Sequence, residues 1–72
     1  MAKAIVTTPL PGKISKIMCA LGDRVTADQV LLTVESMKME NEISADHDGK
    51  VSAILIKEGD TVASNDPLIE ID

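Results

Sequence analysis

The chain has 72 residues, 44% of them hydrophobic and none aromatic, with a net charge of −5: enough apolar content for one small ordered domain, whose folding buries only about 60% of the surface of the unfolded chain. Cys19 is the single cysteine, so no internal disulfide is possible and the core falls to Ile, Val, Leu, Met and Ala; a lone thiol of this kind suits a reducing compartment. No charged leader or apolar run of membrane-spanning length is present, which predicts a cytoplasmic protein with no direct membrane insertion, and the lack of Lys/Arg clusters and stacking aromatics excludes nucleic-acid binding.

In chain order, residues 4–7, 12–19, 30–35, 40–44, 49–56 and 68–71 are rich in Ile, Val and Thr, and turn residues bound most of them. They read as short strands. Leu32 and Val34 alternate with Thr33 and Glu35, the period of a strand buried on one face. Ile14 and Ile17 are three apart, as are Val51 and Ile54, which breaks that period and predicts a bulge in each segment. The pairs Gly22-Asp23, Gly59-Asp60, Pro11-Gly12 and Asp48-Gly49 mark turns whose backbone shapes other residues resist. Asp28 and Asn65 occupy loops and are the non-glycine types that best tolerate positive φ. No helix of ordinary length is expected.

The chain repeats itself. Residues 11–35 (PGKISKIMCALGDRVTADQVLLTVE) align without gaps on residues 48–72 (DGKVSAILIKEGDTVASNDPLIEID) at an offset of 37, with eight identities that include Gly12/Gly49, Gly22/Gly59 and Val25/Val62. Two copies are too few for a solenoid. They predict two similar halves sharing one core about a pseudo-two-fold axis, an all-β flattened barrel or sandwich, with residues 1–72 as one domain. The symmetry also predicts that the chain ends lie together at one pole and residues 36–39 at the other.

At that repeat boundary the sequence is Glu35, Ser36, Met37, Lys38, Met39, Glu40, which leaves room only for a tight hairpin. A two-residue hairpin loop normally takes Asn-Gly, Asp-Gly or Gly-X. Met37 and Lys38 are neither, so local rules fail at this one place, and such failures concentrate at functional sites. The tip presents one amine, Lys38, between two large apolar side chains, Met37 and Met39.

The segment ESMKMENEI, with PLPG before it and ADHDG after it, resembles the biotinyl-domain family of biotin carboxyl carriers, and the resemblance runs over essentially the whole chain. It implies a barrel of two four-stranded antiparallel sheets. It further implies that Lys38 receives biotin in amide linkage, with Met37 and Met39 as the flanking hairpin motif. Lysine is almost wholly protonated at neutral pH, and only the small fraction of free amine can attack, so the acyl donor must arrive activated, which the resemblance assigns to biotinyl-AMP on a biotin protein ligase. The loaded chain would be a non-catalytic carrier, moving carboxylate between the biotin carboxylase and the carboxyltransferase or decarboxylase of a biotin-dependent enzyme. Thr8, Asp46, Ser36, Asp28 and Asn65 depart from the family's usual residues, all in loops or at the hairpin. Met18-Cys19-Ala20-Leu21 runs straight into Gly22-Asp23, so the protruding thumb of some members is not expected. The family's usual Pro/Ala-rich linker is also not among these residues, and the chain reads as either a free-standing carrier subunit or a domain of a longer protein.

Other candidates are weaker. His47 lies in a polar turn without metal-ligating partners, so no metal is expected. Glu35, Glu40 and Glu42 read as solvated strand ends that blunt an edge, or as part of the surface a modifying ligase reads. Cys19 reads as a small buried apolar residue. Two rival functions remain: a lipoyl domain, whose lysine usually lies in Asp-Lys-Ala, and an unmodified interaction module.

Overall fold

The structure, a computed structural model, describes residues 4–72. Eight strands follow one another: β1 (Ala4–Thr7), β2 (Gly12–Ile17), β3 (Arg24–Val25), β4 (Val30–Ser36), β5 (Met39–Ser44), β6 (Gly49–Ile54), β7 (Thr61–Val62) and β8 (Pro67–Ile71). They form two four-stranded antiparallel sheets, ordered β1-β8-β6-β3 and β5-β4-β2-β7. The offset of 37 carries β2 onto β6 and β3 onto β7 residue for residue. Exchanging every strand for its repeat partner converts one sheet order into the other, so the internal duplication is a structural one.

The core obeys the same operation. Val6/Ile43, Ile14/Val51, Val25/Val62, Leu31/Leu68, Leu32/Ile69 and Val34/Ile71 are six repeat-related pairs, each residue buried to 6% exposure or less. The thirteenth buried apolar side chain, Ala45, is matched by Thr8, which is fully buried. Burial costs the Thr8 hydroxyl little, because it donates to the Leu10 carbonyl at 2.6 Å and accepts from the Leu10 N–H at 3.3 Å. Half of this core comes from each sheet, and neither copy could enclose it alone.

The bulges lie where the spacing placed them. The β2–β4 register slips between Ile14 and Lys16, and the β6–β8 register slips between Val51 and Ala53, leaving Ser15 and Ser52 as the extra residues. A second matched pair of slips leaves Leu31 and Leu68 unopposed, and both turn fully into the core. Gly22 and Gly59 hold φ of +88° and +96°, and Asp28 and Asn65 hold +72° and +69°. The six-residue connections 18–23 and 55–60 match in length and in hydrogen bonds: the N–H of Ala20 donates to Asp23 Oδ2 at 2.9 Å, and that of Lys57 to Asp60 Oδ2 at 3.0 Å. A thumb is therefore not inserted here.

Four expectations need correction. β3 and β7 were not predicted from the residues, because two-residue strands carry no periodicity. β2 and β6 end two residues early, at Ile17 and Ile54. Gly12 and Gly49 need space and not an unusual backbone shape. A Cβ on Gly12 would run into the Glu35 carbonyl and lie 2.7 Å from Val34 Cγ1; one on Gly49 would lie 2.5 Å from Ile71 Cγ2 and 2.6 Å from the Asp72 carbonyl. Finally, methionine takes no part in the described core, since Met18, Met37 and Met39 are all exposed, and Cys19 is only half-buried. Ala4 pairs with Ile71, so the described ends of the chain do lie together. Residues 1–3 of the end expected at this pole fall outside the described residues.

Candidate functional site

β4 and β5 pair from Val30 opposite Ser44 to Ser36 opposite Met39, which leaves Met37 and Lys38 as the whole loop. Their φ angles are +54° and +65°, the sign combination of the type I′ turn, whose twist matches that of the strands it joins. Holding an ordinary side chain in the left-handed region costs roughly 1–2 kcal/mol per residue. The six-position ladder below the turn over-determines the geometry and so maintains it.

Two further ties hold the ladder. The Asn41 amide donates to the carbonyls of Val34, at 3.3 Å, and Met39, at 3.4 Å. Ser15, the bulge residue of β2, donates its hydroxyl to Glu40 Oε2 at 3.0 Å, linking the two strands that flank β4. Beneath the hairpin, the missing Cβ of Gly12 lets β2 approach Val34 and Glu35. Asn41 and Gly12 were not singled out for the site from the sequence. Asn41 shares its strand phase with the buried Ile43 and Ala45, and a polar residue in that phase was the available signal.

The structure brings Met37, Lys38 and Met39 together at the tip as expected. Met37 is 92% exposed and Met39 67%, and Lys38 is exposed between them. Glu35 and Glu40 face each other directly across the hairpin, with Lys13 on the far side of Glu35. Glu42 is opposite Thr33, further from the tip. All three glutamates are exposed, and none is enclosed beside another as a catalytic acid–base pair requires. Like charges directly opposite each other cost a few tenths of a kcal/mol, so the Glu35–Glu40 pairing is not explained by sheet stability. His47 lies in an exposed bend after β5. Cys19 is apart from the tip, and its thiol pKa is raised by burial and secondarily by the charge of Asp23. Among the described residues no group of three or more His, Cys, Asp and Glu side chains is placed to hold a metal ion.

The arrangement offers one accessible primary amine at the end of a stiff ribbon, bordered by thioethers. Such a site presents a nucleophile to an incoming partner and has no walls with which to enclose a small substrate.

Comparison with known proteins agrees with this geometry. Residues 4–71 match the biotin/lipoyl family described as biotin-requiring enzymes. The chain is 49% identical over 63 residues to a biotin carboxyl carrier protein of Streptococcus mutans, covering 88% of this chain and 48% of that protein. It is 41% identical to pyruvate carboxylase of Staphylococcus aureus, again over 88% of this chain but over 6% of the relative. The crystal structure of Kluyveromyces lactis urea carboxylase superposes on the whole chain with a TM-score of 0.94 at 32% identity, through 6% of its own length. The chain thus spans about half of one such relative and a small part of the multidomain ones.

Proposed function

The chain belongs to the biotin/lipoyl family of biotin-requiring enzymes, and from that membership we propose that it is a biotin carboxyl carrier domain occupying residues 1–72, with biotin attached through an amide bond to Lys38. The observation that carries the proposal is the exposed Lys38 at a two-residue tip whose backbone its own side chain disfavours.

The residues present fit the group. A covalent arm needs an amine that no neighbour crowds and a base that does not swivel. The exposed tip meets the first need, and the β4–β5 ladder with its Asn41 brace meets the second. When attached, biotin supplies a ureido nitrogen that accepts and surrenders carboxylate. The chain's own contribution is positional. The ribbon fixes the vector along which the Lys38 side chain leaves, the lysine methylenes give a flexible tether, and tethering raises the local concentration of the carried group at each station. Catalysis then belongs to partners: a biotin protein ligase for loading, and the biotin carboxylase and carboxyltransferase or decarboxylase for turnover. Relatives named as carboxylases support the turnover partners. The lone thiol of Cys19 supports a reducing, cytoplasmic location.

Intact mass after incubation with biotin ligase, ATP and biotin tests the reading. One biotinyl adduct is expected, mapping to Lys38, and Lys38→Ala should fold normally and take none. An adduct at Lys3, Lys13, Lys16, Lys50 or Lys57 would overturn the assignment. A lipoyl adduct on chain purified from its source would select the rival member of the same family, and complete absence of modification there would select a plain interaction module.

A further inference from the structure

Every methionine the structure describes lies on the surface: Met37 is 92% exposed, Met39 67% and Met18 50%. Exposed thioethers contribute little to folding, yet two of the three border Lys38. Met37 also holds a φ of +54°, where asparagine or glycine would keep the same turn at lower conformational cost. Neither backbone preference nor burial accounts for these side chains. Contact with an apolar surface of the ligase that would load Lys38 would account for them, and the exposure that such contact requires also leaves both sulfurs open to peroxides in the free protein.

We propose that Met37 and Met39 form a reversible sulfoxidation site that switches the hairpin between a dockable and an undockable form. The proposal rests on the reading of Lys38 as the biotin-bearing residue. A thioether lone pair attacks one oxygen of a hydroperoxide. An S–O bond forms, the O–O bond breaks, and the departing oxygen leaves as water or alcohol once it has gained a proton. Sulfur is oxidised by two electrons and the peroxide is reduced. The product is polar and chiral where the thioether was soft and apolar, and sulfoxide reductases, one for each epimer, return it.

Three features make the site selective. The fold has no stake in these side chains, since neither belongs to the buried cluster, so oxidation leaves the barrel intact. Cys19, the single thiol, is half-buried, and its raised pKa favours the protonated form, which is less reactive than the thiolate. Met18 gives an internal control: its N–H bonds to the carbonyl of Leu31, near the start of β4, whereas the tip follows Ser36 at that strand's end.

The test treats the 72-residue chain with hydrogen peroxide, removes the peroxide, maps oxygen by peptide mass and then measures the initial rate of labelling by biotin ligase. Oxygen should enter Met37 and Met39 before Met18, with the circular dichroism spectrum unchanged. A single apolar contact in a fitted site is worth about 10–200-fold, so labelling at Lys38 should slow by at least about tenfold. Treatment with both reductases should restore the rate. The double variant Met37→Leu, Met39→Leu, whatever its own untreated rate, should label equally fast before and after peroxide. Met18→Leu should remain as sensitive as the parent chain. Oxidised protein that labels at the untreated rate, prior oxidation of Met18, or an equal slowing of the double leucine variant would each overturn the switch. Untreated protein that takes no biotin at Lys38 would instead remove the attachment reading, and the switch with it.

Discussion

Six described residues hold a positive φ: Gly22, Gly59, Asp28, Asn65, Met37 and Lys38. The first four sit in the repeat-related loops and the last two form the hairpin tip, and the two groups obey opposite rules. In the loops, each left-handed position is filled by a residue that tolerates it, and the choice is made twice, 37 residues apart. At the tip, the same backbone region is filled by two long side chains with no such tolerance. Loop sequence answers to the backbone. Tip sequence does not answer to the backbone, and its strain is maintained by the β4–β5 ladder below it.

The contrast can be tested most sharply by keeping the tip's composition and changing its order. Exchanging the two residues, as Met37→Lys with Lys38→Met, keeps charge and apolar content, so stability should shift by less than about 1 kcal/mol. The amine then leaves along a different vector, and a misplacement of about 1 Å can cost on the order of 100-fold. Ligase labelling should fall by that order while circular dichroism stays native-like. Labelling at the parental rate would show that the ligase reads a flexible peptide and not a rigid hairpin.

Glycines that serve close approach come next. Gly12→Ala and Gly49→Ala each force a Cβ into a neighbouring strand, and overpacking of this kind costs about 1–3 kcal/mol. Denaturant midpoints should fall for both, with Gly12→Ala also disturbing the hairpin base through Val34 and Glu35. A neutral effect at either position would mean that the strands part without cost.

Gly22→Val and Gly59→Val isolate backbone conformation, because nothing lies within 4 Å of a Cβ at either site. Each should lose roughly 1–2 kcal/mol, and the two losses should agree. A loss at one site alone would show that the halves differ energetically despite their shared geometry.

The smallest effect should have the opposite sign. Met37→Asn places a turn-forming residue where the fold asks for one, and should raise stability by about 0.5–1 kcal/mol. A destabilised variant would mean that Met37 packs usefully after all, and the distinction between loops and tip would fail at its central residue.

Much of the architecture was legible in the residues. The duplication, the bulges at Ser15 and Ser52, and the left-handed positions of Asp28 and Asn65 each follow from a local pattern that occurs twice. The tip was legible for the converse reason, as the place where local pattern and local structure disagree. What escaped the reading depends on partners distant in sequence. β3 and β7 exist because Arg24 and Val25 meet Lys50 and Gly49, and Thr61 and Val62 meet Lys13 and Gly12. Two residues carry no period of their own. The sequence showed Asn41 only as a polar residue in a buried phase; its role as a brace required Val34 and Met39 to come within reach.

By itself, then, the sequence determined six of the eight strands, the left-handed loop positions of Gly22, Gly59, Asp28 and Asn65, and which lysine stands apart, because each of these is set by the conformational preferences of a few neighbouring side chains. Only the tertiary structure decided that Gly12 and Gly49 exist to let strands approach, that the described methionines face solvent, and that Glu35 opposes Glu40. Those facts depend on which atoms occupy a given space, and two strands from distant parts of the chain must pack before that space is defined.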